Sequence, residues 1–265
     1  MVKVKAFPKH GSPFLVAGWS PDAGEAGWWV VDYLNKHLST REFAEIEPLG
    51  FFSLGGIEIR DNISRFPESK FFSSEEKDLI FFKSNIPGTG GYNFLNLVLD
   101  VAKGFNIQGV YTVGGIVSMI AHTDEQRKVL AVFNSPQLKE DLAAYDLEMN
   151  LDYQGTTSMN GFLLWVAKNR QIPAAGCWVN VPFYLVNRVD PRANKALLSF
   201  LNFRFSLGVD LSELDRDIEI QDRRIARIRG KNLKLDEYMG KLEQKIDLSQ
   251  EEIEGLVEEL NRFMG

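Results

Sequence analysis

Phe14-Leu-Val-Ala-Gly-Trp-Ser-Pro-Asp-Ala-Gly-Glu25, continuing as Ala26-Gly-Trp-Trp-Val-Val-Asp-Tyr-Leu34, decides the fold class. A short apolar run, Phe14–Gly18, reads as a strand. It enters a glycine-rich turn, and the turn opens a stretch with apolar residues at helical spacing. A helix is predicted over Gly24–Leu38, burying Trp29, Val30, Tyr33 and Leu34. This is the first βα unit of an α/β domain. Asp22 is expected to be its N-cap, with Glu25 three residues on completing a capping box. Open α/β sheets place ligands at the carboxyl ends of their strands, so this turn is also a candidate crevice.

The alternation continues outward from there. Ile57–Arg60, Phe71–Phe72 as its partner, Asp78–Lys83, Gly109–Val113, Val129–Phe133 and Ala174–Val181 read as strands. Tyr92–Phe105, Pro136–Tyr145, Met159–Asn169 and Pro191–Ser206 read as helices, two of them opening on proline, which suits the first helical position. The expected architecture is a three-layer α/β/α sandwich with a mostly parallel sheet over residues 1–208, followed by a helical appendage over 209–265.

In that appendage proline disappears, and 10 Lys or Arg stand against 14 Asp or Glu from 211 to 265. Leu211, Leu214, Ile218, Gln221, Ile225, Ile228, Asn232, Leu235, Met239, Leu242 and Ile246 follow spacings of three and four, as along a coiled-coil seam. Two helices meeting near 229–232 fit this pattern better than one rod, because Gly230 and Asn232 interrupt it. Ser249-Gln-Glu-Glu252 is a second capping box, opening a helix that buries Ile253, Leu256, Val257 and Leu260. An apolar seam must be covered by the body, by its own hairpin or by another subunit. Leu211, Leu214, Ile218, Ile225, Ile228, Leu235 and Leu242 are therefore candidate interface residues.

The net charge of −6 gives no electrostatic reason to expect nucleic acid or an anionic membrane as partner. No apolar run approaches the ~20 residues that span a bilayer, and the first residues have no signal-peptide core, so a soluble cytoplasmic protein is expected. The single cysteine, Cys177, excludes an internal disulfide and lies in an apolar strand, where an inert thiol is expected. No His, Asp or Glu spacing suggests a metal site. No cofactor is expected.

Four segments rich in glycine or hydroxyls fall where strands should end or helices begin: Gly18–Gly24, Pro87–Gly91, Val113–Gly115 and Gly155–Ser158. Glycine lets backbone N–H groups approach an anion, and a helix N-terminus favours negative charge. Trp19, Ser20, Asp22, Gly24, Gly88, Thr89, Gly90, Gly91, Gly114, Gly115, Gly155, Thr156, Thr157 and Ser158 are thus candidate ligand contacts, although short βα turns need glycine for geometry alone. Neither the dinucleotide glycine fingerprint nor a phosphate-binding Lys-Ser/Thr is present. His122 joins the candidates as the one histidine expected to follow a strand end.

Taken in order, Gly18-Trp-Ser-Pro-Asp-Ala-Gly24, Ala121-His122-Thr123, Gly155 with Gly161-Phe-Leu-Leu164, Val181-Pro-Phe-Tyr184 and the acidic helical tail resemble the proteasome assembly chaperone family, in its archaeal and bacterial branch. The resemblance covers nearly the whole chain. It implies a nucleoside-phosphorylase-like α/β fold, homo-oligomers, with a trimer favoured over a dimer or tetramer, and a role in binding protein. Some archaeal members dock through a terminal hydrophobic-Tyr-any tripeptide; Phe263-Met264-Gly265 has Met at the Tyr position, so that route is not expected. Two functions follow as expectations. The first is a non-catalytic assembly or interaction protein with a protein partner. The alternative is an enzyme or sensor that binds a phosphorylated small molecule or nucleotide at the glycine-rich segments.

Overall fold

Phe14–Ser20 is buried along almost its whole length, which an apolar run can satisfy only inside a sheet covered on both faces. It forms the middle of a nine-stranded sheet in a computed structural model describing residues 1–52, 58–60, 62–125, 127–149, 151 and 157–264. The strands of that sheet are β1 (Val2–Val4), β2 (Phe14–Ser20), β3 (Arg41–Ile46), β6 (Ser69–Ser74), β7 (Leu79–Asn85), β8 (Gly109–Ser118), β9 (Val129–Phe133), β10 (Leu147–Glu148) and β11 (Ala174–Pro182). Their spatial order is β1-β3-β6-β7-β2-β8-β11-β9-β10. β7, β2, β8 and β11 run parallel, so their carboxyl ends share one edge. Antiparallel pairings flank this centre through β6 on one side and β9 on the other.

The remaining strands, β4 (Glu58–Arg60) and β5 (Ile63–Arg65), pair only with each other. Phe71 and Phe72 therefore do not partner the segment ending at Arg60. They lie in β6, between β3 and β7, because Phe71 fills the core against Phe43 and Phe82. Ile57 lies outside the described residues.

Helix α1 (Ala26–His37) packs on one face of the sheet. Helices α2 (Gly91–Lys103) and α4 (Met159–Asn169) cover the other, and α3 (Pro136–Asp141) is a short turn beside β9. α5 (Pro191–Arg204) joins α1 on its face. Two buried clusters, one on each side of the sheet, complete the three layers. Cys177 is fully buried, and burial pushes its thiol up to about 12, so it remains protonated and inert.

The tail forms α6 (Ser212–Arg229), α7 (Leu233–Glu243) and α8 (Gln250–Met264). The helix break falls at 230–232, where Asn232 caps α7 by accepting from Lys234 N–H and Leu235 N–H, both at 3.1 Å. The capping box at α8 forms as expected: Ser249 Oγ accepts from Glu252 N–H at 3.3 Å, and the Glu252 carboxylate accepts from Ser249 N–H at 2.9 Å. The seam is covered by its own chain. Leu214, Ile225, Ile228, Leu235, Met239 and Leu242 are buried in one cluster with Val181, Leu185, Leu197 and Leu201 of the body. Leu211 and Ile218 are half-buried at its margin, and Ile246 is exposed. The candidate interface residues at the centre of the seam are thus packed within the chain, because α6 lies along α5 and α8 reaches the turn at Phe183–Leu185. No helix among the described residues is long and apolar enough to cross a membrane.

Candidate functional site

The turn after β2 meets β8 at the carboxyl edge of the sheet. Asp22 Oδ2 accepts from Gly27 N–H at 3.0 Å and from Gly115 N–H at 2.9 Å. Asp22 is not the N-cap of α1, a position Glu25 holds, but its carboxylate accepts one N–H of the helix's first turn from outside the cap and ties α1 to β8 with one oxygen. The capping box does not close. Glu25 stands immediately before the helix with φ 52, in the left-handed region, and makes no side-chain cap. Gly114 and Gly115 are not a loop but an interior stretch of β8.

Glycine is required here by close approach. A Cβ on Gly18 would stand 2.0 Å from the Gly27 carbonyl oxygen, and one on Gly115 would stand 2.0 Å from that of Ala23. Both obstacles are backbone, so no side chain can swing aside to make room. Gly18→Ala is therefore expected to cost about 1–3 kcal/mol by overpacking. The check is a lowered urea midpoint at unchanged slope; a wild-type midpoint would contradict the backbone contact.

Burial pushes the Asp22 carboxyl up to about 7, against the pull of its two backbone N–H donors and with a smaller push from Glu25. Its second oxygen, Oδ1, is buried without a hydrogen-bond partner. So is Oδ1 of Asn160, in the first turn of α4, whose Nδ2 reaches the Val113 carbonyl at 3.5 Å. The two side chains face each other across Gly114. A Cβ there would stand 2.7 Å from Asn160 Nδ2 and 3.0 Å from Asp22 Oδ2.

The other turn residues are also engaged within the chain. Trp19 is buried against Phe82 and Phe94, with its Nε1 unpartnered. The Ser20 carbonyl accepts from Ile86 N–H at 2.8 Å, and Gly24 N–H donates to the Val186 carbonyl at 2.8 Å. Gly88 and Thr89 both donate their N–H to the Phe51 carbonyl, and the Thr89 hydroxyl donates to Gly50. Gly90 precedes α2, and its carbonyl accepts from Phe94 N–H; Gly91 packs beside Phe162. Ser158 caps α4 by accepting from Gly161 N–H, and Thr157 donates to the Ser158 carbonyl. Gly155 and Thr156 lie outside the described residues. The turn expected to cradle an anion thus holds a carboxylate of its own, and the Gly88 and Thr89 N–H groups of the second glycine segment already have an acceptor.

His122 belongs to a second polar cluster. Tyr184 Oη accepts from His122 N–H at 2.6 Å and lies 3.1 Å from its Nδ1. Burial, followed by the charges of Arg229, Arg127 and Arg192, pushes the imidazole down to about 3. A neutral ring accepts the Tyr184 proton at Nδ1, which leaves Nε2–H facing Asp222 Oδ1 at 3.9 Å as a dipole rather than as an ion pair. Arg127 donates to Asp190 and to the His122 carbonyl, while Asp190 caps α5 through Arg192 N–H and Ala193 N–H. Arg192 donates to the same His122 carbonyl at 2.8 Å and to Asp222 of α6 at 2.7 Å. This cluster joins the end of β8, the start of α5 and the tail.

Sequence reasoning missed Asn160, Arg127 and Asp190. Asn160 had a readable signal: it occupies the apolar stripe with Leu163, Leu164 and Ala167, where a polar residue needs a reason. Arg127 sits in a short polar loop with no periodicity to mark it as buried. Among the described residues, no group of three His, Cys, Asp or Glu side chains is placed to hold a metal.

Next to these engaged residues, the outer face of α2 and α4 is aromatic. Tyr92 and Trp165 are 48% and 51% exposed and lie 5.9 Å apart, with Phe162 stacked on Trp165 at 5.7 Å. A model of the PAC2 family matches residues 15–229, from the second residue of β2 to the last residue of α6. This chain belongs to the PAC2 family. The PAC2 fold recurs in solved structures. PbaB of Pyrococcus furiosus, described as an archaeal proteasome activator, is 22% identical with a TM-score of 0.74, over 86% of this chain and 98% of its own. PbaA of the same organism, described as an archaeal homolog of proteasome-assembly chaperone, is 20% identical with a TM-score of 0.68, over 92% of this chain and 97% of its own. A Mycobacterium tuberculosis protein of unknown function is 18% identical with a TM-score of 0.78, over 92% and 88%. An uncharacterised Methanocaldococcus jannaschii protein is 22% identical over 237 residues, 88% of this chain and 87% of its own. At these identities the solved structures establish the shared fold.

Proposed function

We propose that this PAC2 protein is a non-catalytic, assembly-chaperone-like protein that acts by binding another protein. The observation that carries this reading is the contrast between the motif turns and the outer face of α2 and α4. The side chains and N–H groups of the motif residues are largely engaged within the chain, whereas Tyr92 and Trp165 stand in solvent against each other. Exposed, mutually supported aromatic rings are what protein interfaces bury as anchors. The descriptions of PbaA and PbaB support the same direction. The family resemblance further supports a homo-oligomer, a trimer before a dimer or tetramer, and a monomeric mass by light scattering at micromolar concentration would overturn that part.

The binding reading is tested by affinity capture of the full chain from native lysate, with Trp165→Glu in parallel. A stoichiometric protein partner is expected with the wild type, and at least a tenfold lower recovery with the variant, corresponding to about 1.4 kcal/mol. Repeated recovery of the wild type alone would overturn the reading.

A further inference from the structure

We propose that the outer face of α2 and α4 receives an acidic amphipathic helix of the partner protein, with an apolar anchor of that helix against Tyr92 and Trp165 and its carboxylates on Lys168 and Lys103. This rests on the reading above that the two rings bind protein, and it adds what the partner presents to them. The starting point is where the charge sits. The chain carries 36 Asp or Glu against 30 Lys or Arg. Yet α2 and α4, with the Arg170 that follows, hold the cations Lys103, Lys168 and Arg170 and a single carboxylate, Asp100. That carboxylate is already engaged: Arg170 Nη2 donates to Asp100 at 2.6 Å, while its Nη1 donates to the Asn96 carbonyl at 2.9 Å. Among the described residues, Lys103 and Lys168 are exposed and have no ion-pair partner. The face is therefore cationic on an acidic protein.

One ligand helix can reach the rings and the lysines together. Lys168 stands three residues after Trp165, so the two are neighbours on one side of α4. Trp165 is steadied by Phe162, stacked at 5.7 Å, and by Tyr92 at 5.9 Å. Arg170 pins the end of α4 to the middle of α2, so the platform exists before anything binds and little ordering entropy is lost. Lys103 closes the far end of α2, about 16 Å along the helix axis from Tyr92. A helix of about three turns spans that length. Its residues three and four apart share one side, so an apolar anchor on the rings sets acidic neighbours over the lysines.

An anionic membrane reads a similar pairing of aromatic rings and lysines. Recruitment by charge, however, takes clusters of about four to eight cations, and this face offers two unpaired ones on a chain of net charge −6. A protein helix needs one anchor and a few carboxylates at fixed spacing, which a rigid ring pair and two lysines recognise.

The test titrates the full-length protein with two synthetic amphipathic helices that share one leucine stripe, the first with glutamate and the second with lysine at every polar position. NMR of the Trp165 indole N–H reads binding. The expected result is a saturable shift with the glutamate helix, weakened several-fold as salt rises from about 50 to about 300 mM, and no saturation with the lysine helix. Lys103→Glu with Lys168→Glu should weaken the glutamate helix at least about tenfold. Equal binding of both helices would show that the rings act without the lysines and would overturn the proposal, as would no saturation with either helix at millimolar concentration. Uptake onto phosphatidylserine vesicles, lost in Trp165→Glu, would reassign the face to a membrane and overturn it too. The comparison of the two helices needs only the wild type, so it decides the matter whether or not the double variant folds. Equal binding of the two helices leaves the protein-binding reading standing, because that reading falls on the absence of a partner in the lysate.

Discussion

Ile225→Asp is expected to unfold the protein rather than to split an oligomer. Ile225 is fully buried in α6, within the cluster that contains Leu185, Leu197 and Leu201 of the body and Met239 of α7. Losing the isoleucine costs about 2–5 kcal/mol in a packed site, and an unpaired carboxylate in its place adds several more. Against a typical total of about 5–15 kcal/mol, most of the folded population is lost. Ile225→Ala is the graded version, with about 2–5 kcal/mol expected. Urea unfolding measures both, and light scattering runs in parallel. If the seam is an intrachain core, Ile225→Ala keeps the wild-type mass while losing stability. A folded species of lower mass would assign the seam to a subunit interface instead.

Arg127→Met is expected to cost about 3–5 kcal/mol, the range for breaking one side of a buried ion pair. Asp190 is 0% exposed, so removing its guanidinium leaves a carboxylate with backbone donors alone. Ala121 and His122 lose a donor to their carbonyls at the same time. Arg127→Met with Asp190→Asn should recover part of the loss, because Asn keeps the cap on α5 while removing the stranded charge. The pH profile gives an independent readout. The folded His122 ring stays neutral down to about 3, whereas an unfolded histidine takes a proton near 6.5. Unfolding therefore becomes easier as pH falls from about 6.5 toward 3. Removing Arg127 removes one of the charges that hold the ring neutral, so the His122 ring of the folded variant should take its proton at a higher pH than in the wild type, as followed by NMR of the ring. An unchanged ring titration would show that Arg127 does not act on His122.

Much of the local structure was legible. α4 runs from Met159 to Asn169, as its apolar spacing predicted, because the stripe Leu163, Leu164, Ala167 and the Ser158 cap mark its register and start. The Ser249–Glu252 helix start and the break near 229–232 were equally readable, since each rests on residues two or three apart. The candidate site was legible in membership and less so in role. Asp22, Gly114 and Gly115 do meet, but glycines expected to face an anion instead let two backbones touch. His122 and Tyr184, noticed as parts of separate motifs, turn out to share a hydrogen bond.

By itself, then, the sequence determined the βα alternation, the break and the last capping box of the tail, and the presence of an apolar seam that something must cover. These follow from periodicity and capping, whose physics is complete within one or two turns of chain. Only the tertiary structure decided that β2 lies between β7 and β8, that the seam is covered by its own body, and that Asp22 is spent on Gly27 and Gly115. Asp22 and Gly115 are 93 positions apart, and Arg127 and Asp190 are 63 apart. Contacts at that range are set by which faces pack together, because a donor's partner is chosen by the approach of whole layers rather than by its neighbours along the chain.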